Sequence, residues 1–167
     1  MKTTLLAVFV ACSLSAVALA DAAGGVSWTV PGAWKSGEAR PMRAATYAVP
    51  AAKDVEGGEC AVFFFGPGQG GSIDDNVKRW VGQFEGGKAA PARKEKVNGL
   101  DVTRVEVDGT FQSGGMSGPQ VAKPGFKLLG AIVEGKEGNV FFKFTGPAKT
   151  VEAARKDFEA LLKSLKK

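Results

Sequence analysis

The stretch LLGAIVEGKEGNVFFKF, residues 128–144, contains two apolar runs joined by a short connection with glycine at both ends. The runs, 128–133 and 140–144, are apolar on both faces of an extended chain. Strands of this kind lie in the middle of a sheet that is covered on each side. The connection 135–138 has the length of a hairpin loop, so we expect the two strands to pair antiparallel.

Three further segments have the patterns of strands. Residues 60–65 are again apolar on both faces, and residues 42–49 place Ala45, Tyr47 and Val49 on one face. In residues 103–108, Thr103 and the two valines alternate with charged side chains, which predicts a strand with one wet face nearer an edge of the sheet.

Two segments have the 3.6-residue periodicity of amphipathic helices. The first covers residues 72–84, with Ser72 as its N-cap and Asp74 and Asp75 at its positive end. The second covers about 149–165 and starts after Gly146-Pro147. The order of elements predicts an α+β domain, a mostly antiparallel sheet with helices packed on both faces, or α/β/α sandwich.

The N-terminus has the features of an export signal. Lys2 precedes an apolar stretch that ends in Ala18-Leu19-Ala20, and this predicts a signal peptide, residues 1–20, cut after about Ala20. Cys12 suggests a lipoprotein as an alternative, but Phe9 and the hydrophobic continuation fit a lipid anchor poorly. We expect one domain, residues 21–167, that is periplasmic or secreted and has no integral membrane span.

Composition excludes several chemistries. The chain has no histidine, so Ser-His-Asp and Cys-His catalysis and most zinc sites are excluded. The 22 basic and 17 acidic residues are scattered rather than clustered, which is not the pattern of a nucleic-acid binder. Cys60 is expected in the core, and we expect no cofactor and no metal. Carboxylates such as Asp101, Glu106 and Asp108 leave a small hydrolase open as an alternative.

The segment 66–72, GPGQGGS, lies between a predicted buried strand and a helix and matches G-x-G-x-x-G. Acidic residues in the helix's first turn and the lack of a preceding lysine argue against a nucleotide. Two interpretations remain: the segment binds a small polar ligand or anion at the helix start, or it is a tight structural turn. The candidate residues are Gly68, Gln69, Gly70, Gly71 and Ser72.

Two other features could form a binding surface. A polar row runs along the first helix and consists of Asn76, Arg79 and Gln83. These side chains either bind a partner or hydrogen-bond to neighbouring segments. Residues 112–125, which include Met116, are expected to be a long loop, either a binding loop or plain flexible surface.

Several features follow one another along the chain: the Trp28-x-x-Pro31-x-x-Trp34 opening, the strand around 43–49, the Phe-rich strand before a glycine turn and a Trp-bearing helix, and the terminal helix after Gly146-Pro147. In this order they resemble the PsbP-like fold. This fold is shared by an extrinsic photosystem II subunit, the Ran-binding Mog import factor and many exported bacterial proteins. The resemblance covers most of residues 26–166 and implies a non-enzymatic accessory or binding domain. It transfers no functional residue and names no partner, so an unknown protein partner or a small ligand is the expectation.

Overall fold

The computed structural model describes residues 20–115 and 118–167. The predicted signal peptide up to residue 19, Cys12 and Met116 lie outside the described residues. The elements follow the chain as β1 (Ala20–Ala23), β2 (Val26–Thr29), β3 (Lys35–Ser36), β4 (Ala45–Val49), β5 (Gly58–Phe64), α1 (Ile73–Gly82), β6 (Phe84–Ala89), β7 (Arg93–Val97), β8 (Leu100–Gly115), β9 (Gly118–Gly135), β10 (Gly138–Pro147), α2 (Ala148–Ala153) and α3 (Arg155–Lys163).

The main sheet is antiparallel throughout, with the strand order β3-β4-β5-β10-β9-β8-β6 and with β7 also paired to β8. The predicted hairpin is confirmed: Val140 of β10 pairs with Val133 of β9 on one side and with Phe64 of β5 on the other. Its loop is two residues shorter than predicted, because Gly135 and Gly138 themselves pair. The sheet and the helices confirm the α+β class, and β1 and β2 form a separate small hairpin.

Successive side chains of β10 belong alternately to two apolar clusters. Phe142 and Phe144 belong to a cluster that includes α2, α3 and the two N-terminal tryptophans. Phe141 belongs to the other cluster, where the ring of Trp80 from α1 meets it edge-on with centroids 6.5 Å apart. Because neighbouring side chains of a strand point to opposite faces, the clusters lie on opposite sides of β10.

The prediction of a long loop at 112–125 is wrong. Residues 112–115 extend β8 and residues 118–125 extend β9 into a paired segment, the hairpin arm, in which Gln112 pairs with Ala122 and Ser113 with Val121. The ladder is made by backbone groups, so it continues through a glycine- and proline-containing segment that lacks apolar alternation. Register shifts between Gly109 and Phe111, and again near Ser113, accommodate the irregular residues.

Smaller differences concern the helices and edge strands. The first helix ends at Gly82, so Phe84 opens β6. The second helix is divided at Ala154, whose φ is −94° and ψ 6°; alanine is a strong helix former, so the sequence carries no signal for this break. Residues 93–97 form the edge strand β7, whose side chains are exposed or half-buried. In the described part of the chain, no helix has the length and hydrophobicity to cross a bilayer.

Candidate functional site

The glycine turn at 66–72 is folded tightly against the sheet. Gln69 donates its backbone N–H to the carbonyl of Gly66 at 3.2 Å. Gly70 has φ +92°, and a Cβ there would lie 2.9 Å from the ring of Phe65 and 3.0 Å from that of Phe141. Only glycine therefore fits this position, because both the backbone conformation and the space exclude a side chain.

The polar groups at the start of α1 are engaged with one another. The amide of Asn76, which is 3% exposed, donates to the carbonyls of Gly70 (2.7 Å) and Ser72 (2.8 Å). Ser72 Oγ accepts from the backbone N–H of Asp75 and donates to its carboxylate at 2.6 Å. Asn76 thus stabilises the turn, and a ligand at Gly68–Ser72 stays a prediction.

A cleft of about 520 Å³ lies on the sheet beside the end of α1, between β5, β10 and the hairpin arm. We call it the basic cleft, because it is lined by more cationic than acidic side chains. The charged and aromatic lining residues are Arg40, Arg43, Lys123, Lys143, Glu56, Glu59, Phe63, Phe111 and Phe126.

Three of these cations each lie over a phenylalanine ring of the same cleft. This arrangement holds the cations in fixed positions and leaves apolar surface beside each charge. The pairs are Arg43 with Phe63 at 5.5 Å, Lys123 with Phe126 at 5.1 Å and Lys143 with Phe111 at 5.2 Å, measured to the ring centroid.

Carboxylates of the cleft neutralise the outer cations. Glu59 accepts from Arg43 at 2.8 Å and lies 3.3 Å from Arg40. Glu56 pairs with Lys123 at 3.2 Å. These pairs reduce the positive charge at the rim of the cleft.

Lys143 differs from the other cations because its partner is neutral. Its Nζ donates to Oε1 of Gln83, and within residues 20–115 and 118–167 no carboxylate oxygen lies within salt-bridge distance of it. The pKa of Lys143 is lowered to about 8, mainly by burial. The positive charges of Arg43 and Arg79 contribute to this lowering, and the negative charge of Glu59 opposes it. A lysine with such a pKa in a cleft is typical of a functional site.

The predicted polar row borders this site. A side recess of about 150 Å³, lined by Asn76, Arg79 and Gln83 together with Phe65, shares Gln83 and Lys143 with the basic cleft. The hairpin arm also contributes, since Gln112 and neighbouring backbone line the cleft. Residues 68–72 do not line it.

Sequence reasoning missed Lys143 itself. The available signal was a lone lysine within the apolar run 140–144, where a charged side chain is unexpected. Arg43 and the phenylalanines come from distant segments, so no local pattern could associate them with Lys143.

The other candidate groups are engaged elsewhere. Glu106 accepts from Arg155 (2.6 Å) and Lys127 (2.8 Å), and hydrogen bonds from these two cations hold its pKa below the usual value. Asp108 also lies 3.2 Å from Lys127, and Asp101 pairs with Lys96.

Cys60 is fully buried, as expected for a core residue, and burial raises the pKa of its thiol. The described ranges contain no group of three or more acidic or cysteine side chains placed to hold a metal ion.

Comparison with known proteins supports the fold. No protein-family model matches the chain, and no curated protein sequence matches it significantly. Cyanobacterial PsbP (CyanoP) from Synechocystis sp. PCC 6803 is similar in structure, with a TM-score of 0.59 and 10% identity over 95% of this chain and 97% of that one. A Pseudomonas aeruginosa protein of unknown function, PA94, is also similar, with a TM-score of 0.52 and 12% identity over 90% and 96% of the two chains. The predicted PsbP-like fold is thereby confirmed, as a likeness of fold alone.

Proposed function

We propose that this chain is an exported, non-enzymatic binding or accessory domain, an α/β/α sandwich that binds its partner or ligand in the basic cleft. The observation that carries the proposal is the set of three cations on phenylalanine rings around one cleft, among which Lys143 donates to the neutral amide of Gln83 and, in the described ranges, has no carboxylate partner.

The charge of Lys143 favours a binding role. A partly buried ammonium group without a carboxylate costs free energy, and a ligand that supplies negative charge removes that cost. The cleft volume of about 520 Å³ lies in the range of sites for small ligands and is also open enough for a protruding segment.

The fold favours the same role by analogy. PA94 is described as a protein of unknown function and a possible regulator, and such a description fits a binding domain better than an enzyme. A fold is compatible with many functions, so the cleft supports the binding role more strongly than the fold does.

Export is supported by the position of the expected cleavage site. Cutting after Ala20 would make Asp21 the first residue of the mature chain. Asp21 lies in β1, where it pairs with Trp28 of β2 and accepts a hydrogen bond from the hydroxyl of Tyr47. The first residue of the mature chain would then make the hydrogen bond to Tyr47. Sequencing the N-terminus of protein recovered from outside the cytoplasm tests this, and a first residue far from Asp21 would contradict it.

Site-specific photo-crosslinking in the source cells tests the binding site. A benzophenone side chain replaces Arg40, an exposed residue of the cleft rim, and in a matched control it replaces Lys156, exposed on α3. We expect cross-linked products from position 40 that are lost when Lys143→Met is added. Equal products from both positions, or none from position 40, would contradict the cleft as the binding site of a protein partner.

A further inference from the structure

We propose that the basic cleft binds a small organic acid, a carboxylate joined to an apolar group, with Lys143 receiving the carboxylate and the cleft phenylalanines receiving the apolar group. This inference rests on the proposed binding function and names its ligand class.

The ion pairs of the cleft favour a carboxylate at Lys143. Glu59 and Glu56 already accept from the other cations, whereas Lys143 donates to the amide of Gln83. An ammonium group has three donors, so Lys143 can bind an oxygen anion without leaving Gln83. A carboxylate at this point would form the charge-assisted hydrogen bond that the described residues do not supply.

The apolar part of the ligand follows from the rings. Phe63, Phe111 and Phe126 line the cleft together, and Phe65 continues the apolar surface into the side recess. A bare inorganic anion would leave the exposed parts of Phe63 and Phe111 in contact with water, and a hydrocarbon would bury Lys143 without a counter-charge. A carboxylate with an attached ring or short chain satisfies both requirements.

Binding should be coupled to protonation of Lys143. The charged groups facing it are Arg43 from the segment before β4, Arg79 from α1 and Glu59 from β5, and Lys123, Arg40 and Glu56 line the same cleft. The two arginines and burial favour the neutral amine, whereas a bound carboxylate favours the ammonium form. Binding of the ligand is therefore accompanied by proton uptake at Lys143 near pH 8, and the affinity decreases as the pH rises.

Isothermal titration calorimetry of the full chain with 3-phenylpropanoate tests the proposal, with 2-phenylethylammonium and inorganic phosphate as controls. We expect binding of the acid alone, with uptake of a fraction of a proton at pH 8 and almost none at pH 6, measured in buffers of different ionisation enthalpy. Lys143→Met should weaken binding about tenfold. Lys143→Arg should retain most of the affinity but abolish the proton uptake, because arginine stays charged.

Several results would overturn the ligand class. Equal binding of the ammonium analogue would exclude recognition by charge, and binding of phosphate alone would exclude the role of the rings. Binding only of N-acetylglycylphenylalanine, a peptide-end mimic, would assign the cleft to a peptide instead of a free acid. Absence of proton uptake in the unmutated protein would remove Lys143 from the site whether or not its variants fold.

These results are separable from the proposed function. If 3-phenylpropanoate does not bind but position 40 still cross-links specifically, the ligand class fails and the binding role stands. If neither occurs, both fail.

Discussion

The indole ring of Trp80 in α1 packs directly on Gly130 in β9, with no room for a Cβ between them. Trp80 is 6% exposed and also contacts Phe141 edge-on, so this residue attaches α1 to the sheet. Gln83 follows immediately after α1 and reaches Lys143, so the position of the helix determines one wall of the basic cleft.

Gly130→Ala should destabilise the protein by about 1–3 kcal/mol, because the added methyl group forces Trp80 away from β9. Gly82→Ala is the matched control, since a Cβ at Gly82 meets no atom within 4 Å. Urea unfolding followed by tryptophan fluorescence measures both. A loss for Gly130→Ala no larger than that for Gly82→Ala would show that the helix adjusts without cost.

Asn76→Ala should cost about 1–3 kcal/mol of folding free energy, because it leaves the carbonyl of Gly70 without its buried side-chain donor and the carbonyl of Ser72 with the backbone N–H of residue 76 alone. Lys78→Ala, at an exposed position of the same helix, serves as the control. Thermal unfolding gives the comparison. If the two variants melt alike, the turn does not depend on Asn76.

The core strands could be predicted from the sequence because their signal is local. Residues 60–65 and 140–144 are apolar on both faces, and that pattern directly reports burial on two sides. The same holds for α1, where periodicity and the Ser72 cap coincide. The hairpin arm, residues 112–115 and 118–125, was missed because its pairing continues from the buried part of the β8–β9 ladder and does not depend on its own side chains.

The candidate site was predictable only at its border. Arg79 lies in α1 and Gln83 is the C-cap of this helix, so their spacing placed them in a row, and that row does flank the cleft. Lys143 and Phe111 are brought together by strand register and by the shift after Gly109. A single sequence carries no record of such a register, since each partner lies in a different strand.

The salt bridges between α2, α3 and the sheet should make stability depend on acidic pH. Hydrogen bonds from Arg155, followed by those from Lys127, lower the pKa of Glu106 and bring that of Glu152 to about 2. Carboxyl groups with a depressed folded-state pKa stabilise the protein above their unfolded value, here 4.5, and this stabilisation is lost as the pH falls towards 2.

Arg155→Gln should therefore cost about 0.5–1 kcal/mol at neutral pH, because the pairs are partly exposed, and the cost should decrease between pH 4.5 and 2. Lys156→Gln, exposed on the same helix, should show no such pH-dependent difference. Urea unfolding across this pH range measures the differences. A cost for Arg155→Gln that is constant with pH would mean that the arginine acts through packing alone.

The hydroxyl of Tyr47 connects the N-terminal hairpin to the sheet: it accepts from Trp28 Nε1 at 2.8 Å and donates to the carboxylate of Asp21. Burial, with the hydrogen bond to Asp21, raises the pKa of Tyr47 above its ordinary value of 10.0. The folded state thus retains the phenol proton at a pH where the unfolded state loses it. Stability from this group is complete below pH 10 and decreases above it.

Tyr47→Phe should cost about 1–2 kcal/mol at pH 7, since Trp28 loses a buried acceptor and Asp21 loses its donor. The difference from the unmutated protein should shrink above pH 10, because only the protein with the tyrosine pays for keeping its phenol protonated. Tyr47 is the single tyrosine of the chain, so ultraviolet absorbance reports its ionisation directly. Ionisation near pH 10 in the folded protein, or a cost of Tyr47→Phe that does not change with pH, would show that the hydroxyl is not held between Trp28 and Asp21.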